Sequence, residues 1–442
     1  AALETNGAFF LRIEDTDKKR EVENGVSGIV EGLASFGIDI KEGMISETEE
    51  VGDYGPYTQS KRVGIYHTFA KSLVLKGLAY PCFMTEAELE EIRAAQEAEK
   101  KTPGCYGEYA KYRDITPEEA KERIDRGESY VLRLKSPGKE ENRIKFVDKI
   151  KGEIEMPENI QDVVILKTDG IPTYHFAHAV DDHLMRSTHV IRGEEWLPSL
   201  PRHIMLFEYL GFKLPKYMHI AQIMRLDEQG NKKKLSKRDM GANMDDYTRM
   251  GYSPKAVIEY VMTLLNSNYE EWHAQNPEKP YTEFPFNIKK MSTSGCLFDF
   301  NKLEDVSKNV ICRMSADEVY SEVTQWAKDF DPDFYEKLTS DEAYAKSILA
   351  IGRGGKTPRK DFATWTDVKP YMSLFYDDYF TLTDSIPEGF AKEDIKAALV
   401  GFAESYDPTL DNNGWFENVK RIAEKIGFAP DVKLYKANPQ AY

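Results

Sequence analysis

Phe9-Phe10-Leu11-Arg12-Ile13-Glu14-Asp15-Thr16-Asp17 decides how the front of this chain is read. Phe9 to Ile13 is aromatic and β-branched, a strand signal. Val26, Ile29, Val30, Leu33 and Phe36 follow at helical spacing, and Gly37 closes that run. Val63, Tyr66, Phe69, Ala70 and Leu73 predict a second helix stopped by Gly77. Leu78-Ala79-Tyr80 reads as a strand, so the order is β-α-α-β and the class α/β.

Working outward, residues 85–125 turn Glu-, Lys- and Ala-rich, then polar around Pro103, Gly104 and Gly107. Strand-like runs at Tyr130 to Leu134 and Val163 to Lys167 complete what reads as an inserted α+β module. The α/β pattern resumes at Val190-Ile191, a helix over 200–210 and a strand around His219 to Met224. From Ser253-Pro254, an N-cap before an N1 proline, the chain becomes helical. Ser315 and Glu318 form a capping box, and Val419, Ile422, Ala423 and Ile426 mark a late helix. No internal repeat or low-complexity tract interrupts the order.

The chain has 442 residues, enough for about three domains. Hydrophobic residues are 41% and charged residues 30%, which excludes a disordered chain or a disulfide scaffold. No run reaches the ~18 apolar residues of a membrane helix. Cys82, Cys105, Cys296 and Cys312 are scattered, as in a reducing compartment, and a cytoplasmic location is expected. A net charge of −16 disfavours a general polyanion coat, so any phosphate-binding surface is local. No charged and apolar leader precedes Ala8 to Ile13, and both ends read as cut rather than finished.

Four segments carry chemistry. Glu14 and Asp15 fall at a strand's carboxyl end, where open α/β sheets hold ligands, or else they favour the dipole of a following helix. Asp169-Gly170-Ile171-Pro172-Thr173-Tyr174-His175 leads to His178, Asp181, Asp182 and His183, a polar pocket whose spacing fits no standard zinc pattern. Arg192 ends a predicted strand, where a guanidinium could clamp a carboxylate. Asn231 to Arg238 holds five cations in a polar loop, suited to polyphosphate or simply solvated. Ala350 to Thr357 imitates a P-loop, but Tyr344, Ile348 and Ile351, capped by Ser340, predict a helix before it, and Pro358 follows.

Taken together, Leu11 to Asp17, Gly55-Pro56-Tyr57-x-Gln59-Ser60, Asp169 to His175 and Lys234-Leu235-Ser236-Lys237-Arg238 resemble the bacterial-type glutamyl-tRNA synthetases, a class I family. The resemblance runs over essentially the whole chain, most strongly from 1 to about 310. Asp17 fits the glutamyl branch, and the helical tail agrees.

The resemblance implies a multidomain α/β plus all-α protein. A Rossmann-type class I catalytic domain (1–80 and 180–240), with its first strand and helix missing, would carry an inserted α+β acceptor-stem-binding domain (81–179). A helical stem-contact domain (241–314) and a helical anticodon-binding domain (315–442, truncated) would follow. The implied activity is ATP-dependent ligation of L-glutamate to tRNA-Glu through glutamyl-adenylate, by a monomer away from any membrane, with Mg²⁺ accompanying ATP. Glu14, Tyr174, His178, Arg192 and Trp196 would bind glutamate, although the family commonly has Asn where His178 stands. Glu195, Ile223, Met224, Lys234, Ser236, Lys237 and Arg238 would bind ATP, with Lys234 and Lys237 catalytic. Arg353, Lys356 and Arg359 would meet tRNA.

Structural zinc is not expected, because Cys82 and Cys105 lack two further ligands; Met84, Tyr109 and Lys111 stand near the family's zinc-binding positions. The family's leading His-x-Gly-His-type ATP signature has no counterpart, so the chain alone is expected to be inactive. The rivals are a non-catalytic tRNA-binding relative and a P-loop NTPase using Lys356.

Overall fold

The computed structural model describes residues 2, 5–17, 25–235, 241, 243–382, 385, 386, 389 and 391–439. The chain forms two compact units, divided between Met372 and Ser373.

The first unit opens with β1 (Phe10–Leu11), α1 (Gly25–Ser35), β2 (Glu42–Met44) and β3 (Glu50–Val51). β1 runs parallel to β2, and β3 returns antiparallel to β2. Ile13 extends β1 by a parallel bridge to Thr58, its N–H donating to the Tyr57 carbonyl at 2.8 Å. Gly43 shows why no side chain fits in β2: a Cβ there would lie 2.1 Å from the Leu11 carbonyl oxygen.

α2 (Val63–Leu75) leads through Gly77, at φ +69°, into β4 (Ala79–Cys82). α3 (Glu86–Ala98) starts at a capping box between Thr85 and Glu88, and α4 (Pro117–Asp125) has proline in its first turn. β5 (Val131–Leu134) pairs antiparallel with β4 and with β8 (Val164–Leu166). Between them, β6 (Arg143–Asp148) and β7 (Gly152–Pro157) form a hairpin with Asp148 opposite Gly152. α5 (Tyr174–Leu184), β9 (His189–Gly193), α6 (Leu200–Leu210) and β10 (Lys216–Ile220) follow. β9 and β10 are parallel, with Arg192 level with His219.

The largest core joins α2, β4, β5, β8, α5 and α6 through Tyr66, Leu73, Leu134, Ile165, Phe176 and Leu206. β5 and β8, which belong in sequence to the expected insertion, thus share a core with α/β helices.

The strand expected around His219 to Met224 is two strands in different ladders. β11 (Ile223–Leu226) turns away from β10 and pairs antiparallel with β12 (Lys232–Lys234). Lys232 to Lys234 are therefore strand, not loop. After α7 (Met244–Arg249), α8 (Pro254–Leu265) and α9 (Tyr269–Gln275), β13 (Cys296–Leu297) adds parallel to β11. Ser253 occupies the N-cap of α8, but its hydroxyl donates to Glu322 at 2.8 Å instead of capping.

α10 (Phe300–Ile311), α11 (Ala316–Phe330), α12 (Pro332–Ser340), α13 (Glu342–Leu349) and α14 (Val368–Met372) end this unit. The Ser315–Glu318 capping box is present on α11. Asp341, not Ser340, caps α13, and Ser340 is the last residue of α12. The segment 350–357 leaves a helix rather than a strand, which removes the context a P-loop needs.

In the second unit α15 (Lys392–Ser405) packs on α16 (Asn412–Lys425), and α17 (Val432–Ala437) follows. Asn418, nearly fully buried, donates to the Ser405 carbonyl at 3.0 Å and ties the pair together.

Candidate active site

Buried acids on α5 hold the front of the molecule in place. Asp181, fully buried, accepts from Gln59 Nε2 (3.0 Å), Arg62 Nε (2.7 Å) and the Tyr66 hydroxyl (2.7 Å). Arg62 also donates to the Pro56 carbonyl at 3.0 Å, and the Ser60 N–H donates to Asp15 at 2.8 Å. Arg12 donates to Asp182 and to Glu14, each at 2.9 Å. Three of the segments singled out in the sequence are therefore joined by charge-assisted bonds.

Those bonds set the local charge. Burial would lower the Arg12 pKa, but Asp182, Glu14 and Asp181 outweigh it and keep the guanidinium charged. Burial raises the Glu14 carboxyl above its ordinary value, against the pull of Arg12.

Glu14 opens onto a cleft of about 1240 Å³, also lined by Asp15, Met44, Ser60, Tyr174 and Trp196. Tyr174 sits at the start of α5 with its ring 4.7 Å from Trp196 and 5.2 Å from His178. Burial, and then Glu14, push its phenol up to about 12, while Arg192 pulls the other way.

Arg192 reaches in from β9. Its Nε donates to His219 Nε2 at 3.0 Å, and Nη1 lies 3.1 Å from His203 Nδ1. Its guanidinium carbon lies 4.9 Å from the Tyr217 ring centroid and 5.9 Å from that of Trp196. Nη2 is buried with no partner among the described residues, as are the Tyr217 hydroxyl and both ring nitrogens of His178. His178 Nδ1 is 3.9 Å from Asp182, yet burial, Arg12 and Arg192 hold the ring well below its usual pKa and so neutral. A buried cation, a phenol and a neutral imidazole with open valences are what a small polar ligand carrying an acid group requires.

The expected ATP residues gather one strand further on. Glu195 accepts from Gln222 Nε2 at 3.2 Å and lies 3.8 Å from Lys234 Nζ. Burial would raise its carboxyl, but its own N–H, Gln222 and Lys234 hold it below the ordinary value. Lys234 stands opposite Met224, and Ile223 precedes it on β11. Ser236, Lys237 and Arg238 lie outside the described residues.

Residues 1–305 match the family model of class I tRNA synthetases (E and Q), catalytic domain. It belongs to the class I tRNA synthetases. A protein named glutamate–tRNA ligase from Clostridium perfringens is 50% identical over the whole of this chain, which spans 82% of that relative. The protein of that name from Acetivibrio thermocellus is 47% identical, with 100% and 81% covered. Among solved structures, a glutamate tRNA ligase from Elizabethkingia meningosepticum in complex with its amino acid superposes with a TM-score of 0.74 at 27% identity, covering 97% of this chain and 86% of that one.

Elsewhere in the synthetase, the three cations expected to meet tRNA differ in environment. Arg353 is turned inward: its Nε donates to the Leu349 carbonyl at 2.7 Å and its Nη1 to the Ile311 carbonyl at 2.6 Å. Lys356 is exposed, and Arg359 is exposed but bonded to Asp361 at 2.8 Å. Cys82 and Cys105 are buried free thiols. Their proximity pulls the Cys82 thiol below its ordinary value and, with burial, pushes Cys105 above it. Among the described residues, no group of three or more His, Cys, Asp or Glu side chains could hold a metal ion, and no helix is long and apolar enough to cross a membrane.

Sequence reasoning missed Asp148, His203 and His219, which the synthetase buries around Arg192. The available signal was a histidine on the apolar side of a helix (His203) and of a strand (His219).

Proposed function

We propose that this synthetase joins L-glutamate to tRNA-Glu in the cytoplasm, with ATP and Mg²⁺ as co-substrate, acting as a monomer. The observation that carries the reading is Arg192: a buried cation whose Nη2 has no partner among the described residues, beside Tyr174, which itself lines the cleft together with Glu14. Arg192, with Tyr174, would hold a ligand carboxylate, and Glu14 the α-ammonium. Trp196 would wall the pocket, and His178 would offer a neutral ring nitrogen. An uncharged amide in place of the side-chain acid would leave the guanidinium unpaired, which is the physical basis for rejecting glutamine.

The glutamate α-carboxylate then attacks the α-phosphate of ATP and expels pyrophosphate, and the tRNA 3′-terminal ribose takes the glutamyl group. Charge stabilisation and positioning suffice for both steps. Lys234 on β12, with Lys237, would stabilise the departing pyrophosphate. Ile223, Met224, Ser236 and Arg238 would complete the nucleotide side, and Glu195 would meet the ribose. Residues 81–179 would hold the acceptor stem, 241–314 contact the stem, and the helices from 315 onward the anticodon. The rival reading, a non-catalytic relative, draws no support from relatives named as ligases over the whole chain.

The test is Arg192→Ala in the full-length enzyme. The KM for glutamate should rise strongly, on the order of 2–3 kcal/mol for one charge-assisted bond, with the KM for ATP little moved. Unchanged glutamate kinetics would reject the pocket.

A further inference from the structure

Several arginines of the first unit are paired with acids, three of them with buried ones. Arg12 meets Asp182 and Glu14, Arg62 meets Asp181, and Arg113 meets Asp162. Arg192 instead rests on two imidazoles, His219 and His203. The difference has an electrostatic consequence. A carboxylate partner would fix the guanidinium and also cancel much of its charge. A ring nitrogen fixes it and leaves the charge for a ligand.

The support continues one residue further. His219 is fully buried, and its Nδ1 lies 2.8 Å from Asp148 Oδ2. The same oxygen accepts the His219 backbone N–H at 3.0 Å. The other oxygen, Oδ1, accepts the N–H groups of Ile150 and Lys151, each at 2.8 Å. Burial would raise the Asp148 carboxyl, but these bonds outweigh it and hold it below its ordinary value. An ionised carboxylate only accepts, so Nδ1 of His219 must carry the ring proton. Nε2 is then the lone-pair nitrogen, which is what Arg192 Nε–H requires.

We propose that Asp148 and His219 are positioning residues for the ligand-binding arginine: Asp148 selects the Nδ1–H tautomer of His219, and His219 Nε2 holds Arg192 by its Nε, which leaves the buried Nη2 unpaired for a ligand. The inference rests on the reading that Arg192 binds the carboxylate of glutamate. Asp148 also ends β6 and closes the turn of the β6–β7 hairpin, so the turn and the arginine's pose form one hydrogen-bonded unit. All four donors on Asp148 point at oxygen, two on each. An amide cannot replace it, because whichever oxygen becomes NH₂ then faces two N–H groups.

The experiment compares Asp148→Asn, His219→Gln and His219→Leu with Arg192→Ala in the full-length enzyme, each checked for folding by circular dichroism. KM for glutamate and for ATP and kcat are measured separately. Asp148→Asn and His219→Leu should raise the glutamate KM about tenfold or more, with the ATP KM within about twofold. His219→Gln, whose carbonyl can still accept from Arg192, should recover part of the loss.

If Asp148→Asn does not fold, the two His219 variants carry the comparison. Nitrogen-15 spectra of histidine-labelled wild-type enzyme should show His219 with a protonated Nδ1 and a bare Nε2. If Arg192→Ala raises the glutamate KM but the His219 variants do not, the positioning role is overturned and the pocket stands. If Arg192→Ala has no effect, the pocket reading itself falls. An Nε2–H tautomer in the spectra would overturn the relay directly.

Discussion

His175 Nδ1 lies 2.8 Å from His203 Nε2, and the outer nitrogen of each ring faces an arginine: Arg202 at 3.2 Å from His175 Nε2, and Arg192 at 3.1 Å from His203 Nδ1. Arginine only donates, and a neutral imidazole has one donor and one acceptor. If both outer nitrogens accept, both inner ones carry protons and oppose each other. One of the three contacts is therefore not a hydrogen bond. The longest is the one to Arg202, whose pKa burial lowers. Arg202→Gln would offer His175 a carbonyl acceptor and resolve the conflict. Thermal melting should show an unchanged or higher midpoint; a clear fall would mean that the Arg202 contact is a true bond.

The same rings make stability depend on pH. Burial, then Arg202 and Arg192, push His175 down to about 4, and burial first lowers His203 and His178 as well. The unfolded chain takes up these protons near pH 6.5 while the native state does not. Stability is therefore complete above about 6.5 and falls as the pH drops towards 4. His175 alone accounts for on the order of 3 kcal/mol across that window. Urea denaturation at pH 7.5 and pH 5 should show the loss, and His175→Gln should reduce it. A pH-independent midpoint would mean that the rings already share protons in the native state.

These rings also mark the limit of what the sequence made legible. Local signals were read correctly where the cause is local: Gly37 and Gly77 stop helices in left-handed conformations, and Ser315 with Glu318 starts one. In the sequence, Asp169 to His183, with three histidines, a tyrosine and Asp181-Asp182, suggests a polar pocket segment. Tyr174 to Leu184 is a buried helix, since Gln59, Arg62 and Tyr66, more than a hundred positions away, satisfy Asp181. Nothing local to Asp148 marks its role, because its partner His219 is 71 positions away. Glu14, Tyr174, Arg192 and Trp196 were reached through the motifs. What holds Arg192 depends on pairings that no single stretch contains.

Asp181 should therefore be a stability residue rather than a ligand contact. Asp181→Ala leaves the guanidinium of Arg62, 2% exposed, without its counter-charge. Breaking such a pair costs about 3–5 kcal/mol. Urea denaturation should show that loss, and Asp181→Asn, which retains some bonds to Gln59 and Tyr66, should lose less. A near-neutral Asp181→Ala would mean that water replaces the carboxylate.

The loop after α13 separates a structural arginine from candidate tRNA contacts. Arg353 donates to carbonyls at the ends of two helices, Leu349 on α13 and Ile311 on α10, and to Met314 at 3.3 Å, with its guanidinium 5.4 Å from the Phe362 ring. The Leu349 carbonyl ends α13, where a helix C-terminus leaves it open, whereas the Ile311 carbonyl also accepts the Met314 N–H at 3.1 Å. Arg353→Met should destabilise the protein by about 1–3 kcal/mol, chiefly through the Leu349 carbonyl left unpaired. Lys356 and Arg359 stand in solvent, and Arg359 pairs with half-buried Asp361. A phosphate could compete for Arg359, because its guanidinium is exposed and ion pairs at the surface are worth about 1 kcal/mol or less. Lys356→Ala with Arg359→Ala should leave the melting midpoint unchanged and weaken tRNA binding. The salt dependence of log affinity should become shallower by about one to two in slope, the signature of one or two lost phosphate contacts. Filter binding at several salt concentrations measures this, and an unchanged slope and affinity would show that tRNA does not touch this loop.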